Sequence, residues 1–254
     1  MAFATVQNRR IEYQWFRPEG AKHANPIVML HEGLGSLSLW KEFPVELAQV
    51  TGHAVLAYSR YGYGKSSPLG EKREPRYMHD EALDALPALL KELQIENPVL
   101  FGHSDGASIA LVHAGARRCP VAALIVLAPH VFTEEMGVRS IERVREAYLS
   151  GDLKSRLAKR HDDPDSAFWG WNDIWLDPRF REWNIEEYLP AIECPVLAMQ
   201  GHDDEYGTME QIHRLVRAVE RIEVKKLANC GHSPHRDQPR IVLAAVAQFL
   251  EQCQ

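Results

Sequence analysis

The sequence has no apolar run long enough to cross a membrane. A spanning helix needs ~20 consecutive apolar residues, and the apolar segments of this chain are all much shorter. The amino end, MAFATVQNRRIEYQWF, also lacks the apolar stretch of a secretory signal. Its alternation predicts two strands instead, joined by a tight turn at Asn8-Arg9-Arg10. We therefore expect no membrane partner and a cytoplasmic location.

Cysteine is scarce, and basic charge shows no excess. The four cysteines lie far apart, without CxxC pairs or zinc-type spacing: they are Cys119, Cys194, Cys230 and Cys253. This pattern indicates free thiols in a reducing compartment. Lysine and arginine number 29 against 35 aspartates and glutamates, which gives a net charge of -6. A nucleic-acid-binding protein normally carries a basic footprint, so we expect no nucleic-acid partner.

What the sequence does have is a regular alternation of strand and helix patterns. Of its 254 residues, 45% are hydrophobic and 25% charged, an ordinary globular balance. After the opening hairpin, strands are predicted at 27–30, 54–58, 99–101, 122–127, 196–200 and 223–227. Helices are predicted near 40–50, 78–93, 109–116, 209–219 and 241–251. This alternation predicts a parallel sheet covered on both faces, with its site at the carboxyl ends of the strands.

One interval breaks the alternation. Between about 132 and 190 no strand pattern occurs, and charged helix formers and tryptophans dominate. The stretch FWGWNDIWLDPRFREW holds four of the six tryptophans: Trp169, Trp171, Trp175 and Trp183. We predict a helical cap at 132–190, inserted into a core formed by 1–131 and 191–254. Tryptophans are most often packing anchors, but two that face the site would form an apolar wall suited to rings.

A serine stands between two glycines where a buried strand should turn into a helix. The segment Gly102-His103-Ser104-Asp105-Gly106 has the pattern Gly-x-Ser-x-Gly, directly after an apolar strand. A sharp, strained strand-to-helix turn of this kind lifts a serine hydroxyl above the sheet edge. Glycine suits both flanking positions because larger side chains would collide in the turn. In this context the pattern predicts a nucleophilic serine.

A serine hydroxyl needs a neighbouring base that is itself oriented by an acid. In this architecture the chain order should be serine, then aspartate or glutamate, then histidine, each at a strand end. The segment AMQGHDDEYGT offers Asp203 and Asp204 after one predicted strand. The segment KLANCGHSPHRDQP offers His232 after the last one, with His235 as a nearby competitor. The sequence therefore contains all three parts in the required order.

The chain resembles the α/β-hydrolase family. The motifs that carry the resemblance are LHEGLGS (30–36), YSRYGYGKSS (58–67), GHSDG (102–106), GHDDEYG (201–207) and GHSPHRDQP (231–239). It implies an α/β fold, with a mostly parallel eight-stranded sheet, helices on both faces and a helical cap. It also implies that Ser104 is the nucleophile, Asp204 the acid and His232 the base.

The resemblance also points to an oxyanion hole, with two departures. The family's loop usually reads His-Gly, whereas this chain reads His31-Glu32-Gly33. The resemblance still implies backbone N–H donors at Gly33 and Asp105, with Leu34 as a further donor beside Gly33. Glu32 puts a carboxylate where glycine is common. Asp105 puts an acid where many relatives carry a neutral side chain, and it either sets substrate preference or braces the turn.

The predicted reaction is hydrolysis of a small carboxylic ester with an apolar or aromatic acyl part, through an acyl-enzyme. Leu34 and three cap tryptophans, Trp169, Trp171 and Trp175, are the predicted substrate contacts. Thioesters, lactones and the C–C bond of vinylogous diketones are alternatives for the same three side chains. A ligand-binding protein without catalysis is the alternative of another class. Family relatives often form dimers, so a homodimer is open.

No metal or cofactor is expected. His202, Asp203 and Asp204 are consecutive and cannot easily converge on one ion. The segment Lys154-Ser155-Arg156-Leu157-Ala158-Lys159-Arg160-His161 is interpreted as a solvated helix face, with the phosphates of an acyl-coenzyme A as its alternative ligand. Two further histidines are interpreted as structural, namely His103 and His113.

Overall fold

Eight strands form one open sheet in the part of the chain that the computed structural model describes, residues 1–20 and 23–253. The strands are β1 (Ala2–Val6), β2 (Arg9–Phe16), β3 (Ile27–Leu30), β4 (Val55–Tyr58), β5 (Val99–His103), β6 (Ala123–Leu127), β7 (Val196–Gly201) and β8 (Ile222–Leu227). Their order is β1-β2-β4-β3-β5-β6-β7-β8. Among these strands, β1 with β2 and β2 with β4 form the antiparallel pairs. The remaining pairs are parallel, so the sheet is mostly parallel, as predicted.

The opening hairpin is present, but its turn is shorter than predicted and begins one residue earlier. Val6 pairs with Arg9, which makes Arg9 and Arg10 the first residues of β2. The turn residues are Gln7 and Asn8, with φ of 49° and 61°. Two successive positive φ values give the backbone twist that fits a two-residue hairpin. The placement at Asn8-Arg9-Arg10 was therefore wrong.

The helices fall between the strands as expected, with shifted ends. They are α1 (Phe43–Thr51), α2 (Tyr77–Asp80), α3 (Leu86–Glu92), α4 (Asp105–Gly115), α5 (Glu135–Ser150), α6 (Leu153–Leu157), α7 (Pro164–Leu176), α8 (Glu210–Ala218), α9 (Pro234–Asp237) and α10 (Pro239–Gln252). The helix predicted at 40–50 is divided into a 3-10 turn, Leu37–Trp40, and α1. A π turn, Glu81–Ala85, joins α2 to α3. The helix predicted at 109–116 begins four residues earlier, directly after Ser104.

Alternate residues of the central strands enter two separate cores. Val28 and Leu30 pack with α2, α3, α4 and the helices between β6 and β7. Ile27 and Met29 face the opposite way and pack with α1 and α10. Side chains alternate along a strand, so a strand that is buried throughout supports helices on both faces of the sheet.

The segment between β6 and β7 contains α5, α6, α7 and two 3-10 turns, Pro178–Glu182 and Glu186–Ala191. Its two ends meet where Phe132 and Asn184 form an isolated bridge. This is the position of the predicted helical cap, whose limits of 132–190 remain a prediction. In the described part of the chain no helix is both long and apolar enough to span a membrane.

Candidate active site

Ser104 occupies the junction between β5 and α4. Its φ of 52° and ψ of -119° are strained for a residue with a side chain. Its N–H donates to the Leu127 carbonyl at 2.9 Å, which ties the bend to the neighbouring strand. A β-carbon at Gly102 would lie 2.4 Å from the Gly106 carbonyl oxygen, and one at Gly106 would lie 2.1 Å from that of Leu30. The two glycines are therefore needed for close backbone packing, as the sequence analysis argued.

His232 and Asp204 reach Ser104 from the loops after β8 and β7. His232 Nε2 lies 2.9 Å from Ser104 Oγ, and Nδ1 of the same ring lies 2.8 Å from Asp204 Oδ1. A carboxylate accepts, so Nδ1 carries the proton and Nε2 is left to accept from the serine hydroxyl. Asp204 Oδ1 also accepts the N–H groups of Tyr206 at 2.9 Å and Gly207 at 3.3 Å.

The electrostatics of this pair favour a cationic ring. Burial lowers the pKa of His232, but the charge of Asp204 and its hydrogen bond outweigh burial and raise this pKa above its ordinary value of 6.5. Burial likewise opposes ionisation of Asp204. The His232 charge and hydrogen bond, together with the Tyr206 N–H, nevertheless bring the pKa of Asp204 below its ordinary value. A proton taken from Ser104 would therefore be stabilised on His232.

Asp203 and His235, the alternatives to Asp204 as acid and His232 as base, have different surroundings. Asp203 is exposed, and its N–H donates to the Cys230 carbonyl at 3.0 Å. The His235 ring packs 4.8 Å from the Trp40 ring, and burial lowers its pKa well below the ordinary value. His103 Nε2 donates to the His232 carbonyl at 2.7 Å, and His113 Nδ1 donates to the Ala82 carbonyl at 2.8 Å. Both of these histidines are structural in this fold.

The loop after β3 presents the N–H groups that the resemblance implied. Among the described residues, none accepts a hydrogen bond from the N–H of Gly33, Leu34 or Asp105. Arg60 stabilises this loop, since its N–H donates to His31 Nε2 at 3.0 Å. The Arg60 guanidinium donates to the Glu32 carbonyl, also at 3.0 Å. These bonds fix the loop while leaving donors free beside Ser104.

Asp105 turns its side chain away from the site. Its Oδ2 accepts the Tyr77 hydroxyl at 2.7 Å and lies 3.7 Å from the Arg60 guanidinium. The Tyr77 oxygen in turn accepts Trp175 Nε1 at 3.0 Å. Of the two interpretations offered for this acid, the contacts favour bracing of the turn. The same chain of bonds connects the turn to the helices between β6 and β7.

Glu32 forms contacts at the rim of the site. Its Oε1 lies 3.0 Å from the Arg236 guanidinium and its Oε2 lies 3.6 Å from His103 Nδ1. Burial opposes its charge, but these two neighbours bring the pKa of Glu32 well below its ordinary value. The carboxylate is thus held ionised and tied to the segment that follows His232.

A cavity of about 250 Å³ adjoins Ser104 and His232. Leu34, Trp171 and Trp175 line it, as predicted for substrate contacts. Trp169 does not, so this prediction was wrong. It borders an open groove on the other side of α7, where the Arg145 guanidinium stacks on its ring at 5.4 Å. The reason is helical phase, because residues four apart share a face of a helix whereas residues two apart do not.

Several residues of the cavity wall were not predicted from the sequence, among them His130, Ile141 and Tyr206. His130 had a usable signal, since it follows β6 at the carboxyl edge of the sheet, where sites of such folds form. Tyr206 had the same signal, since it follows β7 within the motif GHDDEYG (201–207). Ile141 had none, because its position depends on how α5 packs. The Tyr206 ring lies 4.6 Å from the His232 ring.

The basic segment 154–161 has mixed contacts. Lys154 is exposed and paired with Asp165 at 2.7 Å, as a solvated helix face would be. His161 is buried instead, and its Nδ1 accepts the Gly64 N–H at 3.0 Å. Among the described residues no group of three or more His, Cys, Asp or Glu side chains is placed to hold a metal ion.

Comparison with known proteins identifies the family of this chain. The model of the alpha/beta hydrolase family matches residues 27–246. The AB hydrolase superfamily protein YisY of Bacillus subtilis is 24% identical in an alignment that covers 91% of this chain and 93% of that protein. The proline iminopeptidase of Lactobacillus helveticus is 32% identical in an alignment that covers 89% of this chain and 90% of that protein.

A solved structure shows the same fold. The enol-lactonase from Burkholderia xenovorans LB400 superposes with a TM-score of 0.78 at 19% identity, covering 98% of this chain and all of that one. The family match extends from β3 into α10 and so includes all three strand-end loops of the site. The chain belongs to the alpha/beta hydrolase family.

Proposed function

We propose that this protein is a serine hydrolase that cleaves small carboxylic esters with an apolar or aromatic acyl part. The observation that carries the proposal is the continuous hydrogen-bonded chain from Asp204 through His232 to Ser104, at 2.8 and 2.9 Å, beside a cavity. A nucleophile, a base and an orienting acid within hydrogen-bond reach are the arrangement that acyl transfer requires.

In the proposed reaction Ser104 Oγ attacks the acyl carbonyl while His232 Nε2 takes its proton. The N–H groups of Gly33 and Asp105 donate to the carbonyl oxygen as it becomes negative, a contribution of ~3 kcal/mol per donor in known cases. His232 then protonates the departing alcohol, which leaves an ester on Ser104. A water molecule that gives its proton to His232 attacks this ester and releases the acid. Asp204 keeps the ring in the productive tautomer throughout.

The cavity supports the proposed substrate class. Its volume of about 250 Å³ lies below the ~300–1,000 Å³ typical of sites for drug-sized ligands, so the substrate is small. Two indole rings and Leu34 supply an apolar wall that suits a planar acyl group. Thioesters, lactones and the C–C bond of vinylogous diketones engage the same three catalytic side chains and remain alternatives within this chemistry.

Labelling by a fluorophosphonate probe tests the proposal directly. A competent Ser104 should be labelled, and Ser104→Ala should lose both labelling and turnover of 4-nitrophenyl esters. Ser150→Ala is the matched control, because Ser150 is exposed and bonds only to the Glu146 carbonyl. A wild-type protein that is neither labelled nor active would favour the ligand-binding alternative. A panel of aryl esters, acyl-coenzyme A thioesters, lactones and diketones then identifies the bond cleaved.

We further propose that the protein acts in the cytoplasm on a small molecule, without a nucleic-acid partner. The four cysteines are free in the structure, which fits a reducing compartment. A homodimer stays open, and light scattering coupled to size-exclusion chromatography measures the oligomeric state.

A further inference from the structure

His130 lines the cavity beside the candidate catalytic residues and has no part in the mechanism above. It lies three residues after β6 and is 4% exposed. Its backbone is held by the Ser108 hydroxyl, which donates to the His130 carbonyl at 2.6 Å and accepts its N–H at 3.2 Å. The imidazole lies edge-on to the Trp175 ring at 5.1 Å and 5.6 Å from the His232 ring. Its position is therefore fixed by its neighbours.

The imidazole nitrogens of His130 have no hydrogen-bond partner within residues 1–20 and 23–253. Nor are they sealed inside the protein, as Nε2 of His113 and Nδ1 of His235 are. They keep their access to the cavity that the residue lines. A ligand group that enters the cavity can therefore hydrogen-bond to this ring without displacing a protein partner.

The ring is neutral under ordinary conditions. Burial, and then the positive charge of His232, lower the pKa of His130 to about 4. A neutral imidazole offers one N–H donor and one nitrogen acceptor. It therefore suits an uncharged hydroxyl or carbonyl oxygen. A carboxylate would meet Glu32 and Glu205, which line the same cavity.

We propose that His130 is a specificity-determining residue that hydrogen-bonds a hydroxyl or carbonyl oxygen on the aromatic part of the substrate. The proposal rests on the proposed function and narrows its substrate class to esters of aromatic acids that carry a polar, uncharged ring substituent. The indoles of Trp171 and Trp175 pack on the aromatic ring of the substrate. His130 hydrogen-bonds the substituent of that ring, close to the ester bond that Ser104 attacks with the help of His232. A site built to bond a hydroxyl discriminates against the analogue that lacks it.

Binding to the Ser104→Ala protein tests this without requiring turnover. Calorimetry would compare methyl benzoate with its 2-, 3- and 4-hydroxy derivatives. We expect at least one hydroxy isomer to bind roughly 10-fold more tightly than methyl benzoate, the effect of one added hydrogen bond. His130→Phe keeps a ring against Trp175 and should abolish this preference. His130→Gln keeps a donor and an acceptor and should retain part of it.

The matched control is His113→Phe, which also replaces a buried histidine but lies outside the cavity. It should leave the preference unchanged, and thermal unfolding shows that each variant is folded. Equal affinities for all four esters in the Ser104→Ala protein, or a preference that survives in His130→Phe, would overturn the assignment. Failure of the proposed function would be distinguishable from failure of this assignment. In that case the wild-type protein would bind these esters and hydrolyse none of them.

Discussion

A β-carbon at Gly33 would lie 2.0 Å from Nε1 of the Trp171 indole, so this backbone and this ring are in direct contact. The contact joins the loop that carries a candidate oxyanion donor to helix α7. Gly33→Ala must displace either the loop or the ring. Since a shift of about 1 Å in an active site can cost ~10²-fold in rate, we expect kcat/KM on an aryl ester to fall by about that factor.

Gly170→Ala is the control for this substitution. Its added carbon would meet the ends of two flexible side chains on the far side of α7, a terminal methyl group of Leu69 at 2.9 Å and Arg73 Nε at 3.8 Å. Alanine also favours the helix, so we expect activity within about 2-fold of wild type. If the steric explanation is right, Trp171→Leu in the Gly33→Ala background restores part of the lost activity. Wild-type kinetics in Gly33→Ala alone would refute it.

The Tyr77 hydroxyl connects Asp105 to Trp175 through two hydrogen bonds in a buried setting. Tyr77→Phe leaves a buried carboxylate short of a donor and an indole N–H without an acceptor. Each unsatisfied group costs ~1–3 kcal/mol, so we expect the free energy of unfolding to fall by about 2–4 kcal/mol. Urea denaturation measures the loss.

Tyr61→Phe is the appropriate comparison for Tyr77→Phe. Tyr61 is equally buried, but its hydroxyl makes a single neutral bond, to the Val6 carbonyl at 2.7 Å. That loss should cost about 1 kcal/mol. Comparable destabilisation by the two substitutions would mean that the Asp105 carboxylate finds another donor when Tyr77 is truncated.

Much of the fold was predictable because parallel strands send their carboxyl ends to one edge. Ser104, Asp204 and His232 are far apart in the chain, yet each follows a strand, and this alone brings them together. The alternation of strands and helices predicted the sheet itself. The exact start of each helix was less accessible, because capping and 3-10 turns shift it by a few residues.

Features that depend on packing between distant elements were not predictable. The sequence did not indicate which face of α7 lines the cavity. Trp169 was therefore wrongly predicted to contact the substrate together with Trp171 and Trp175. The network of Asp105 and Tyr77 joins residues 28 positions apart, and no periodicity in the sequence connects them. Buried polar pairs of this kind are specified by tertiary contacts alone.

Asp204 should control the pH dependence of catalysis. His232 acts as a base only when neutral, and its pKa lies above 6.5 because Asp204 stabilises the cation. In wild type, kcat/KM should therefore fall as the pH drops through a value above 6.5. In Asp204→Asn, burial of His232 is opposed only by the smaller effects of Glu205 and Glu32, so this fall moves to lower pH. The rate should also drop by roughly 10³–10⁴-fold, since the amide no longer selects the productive tautomer.

Asp203→Asn is the control for Asp204→Asn. The two residues are adjacent, but Asp203 is exposed and does not contact His232. Rate and pH profile should both stay close to those of wild type. A profile that shifts in Asp203→Asn and not in Asp204→Asn would reassign the acid to the neighbouring residue.

Glu32, at the rim of the site, should also affect the pH at which kcat/KM falls. Its carboxylate is one of the charges, after Asp204 and Glu205, that raise the pKa of His232. Glu32→Gln removes that charge, so the imidazolium is less stable and the low-pH fall of kcat/KM moves to lower pH. The shift should be smaller than in Asp204→Asn, because Glu32 forms no hydrogen bond with the ring. Glu251→Gln, an exposed site at the end of α10, should leave the profile unchanged. A shift toward higher pH in Glu32→Gln would contradict this role, because loss of the carboxylate and release of the Arg236 cation both disfavour the His232 imidazolium.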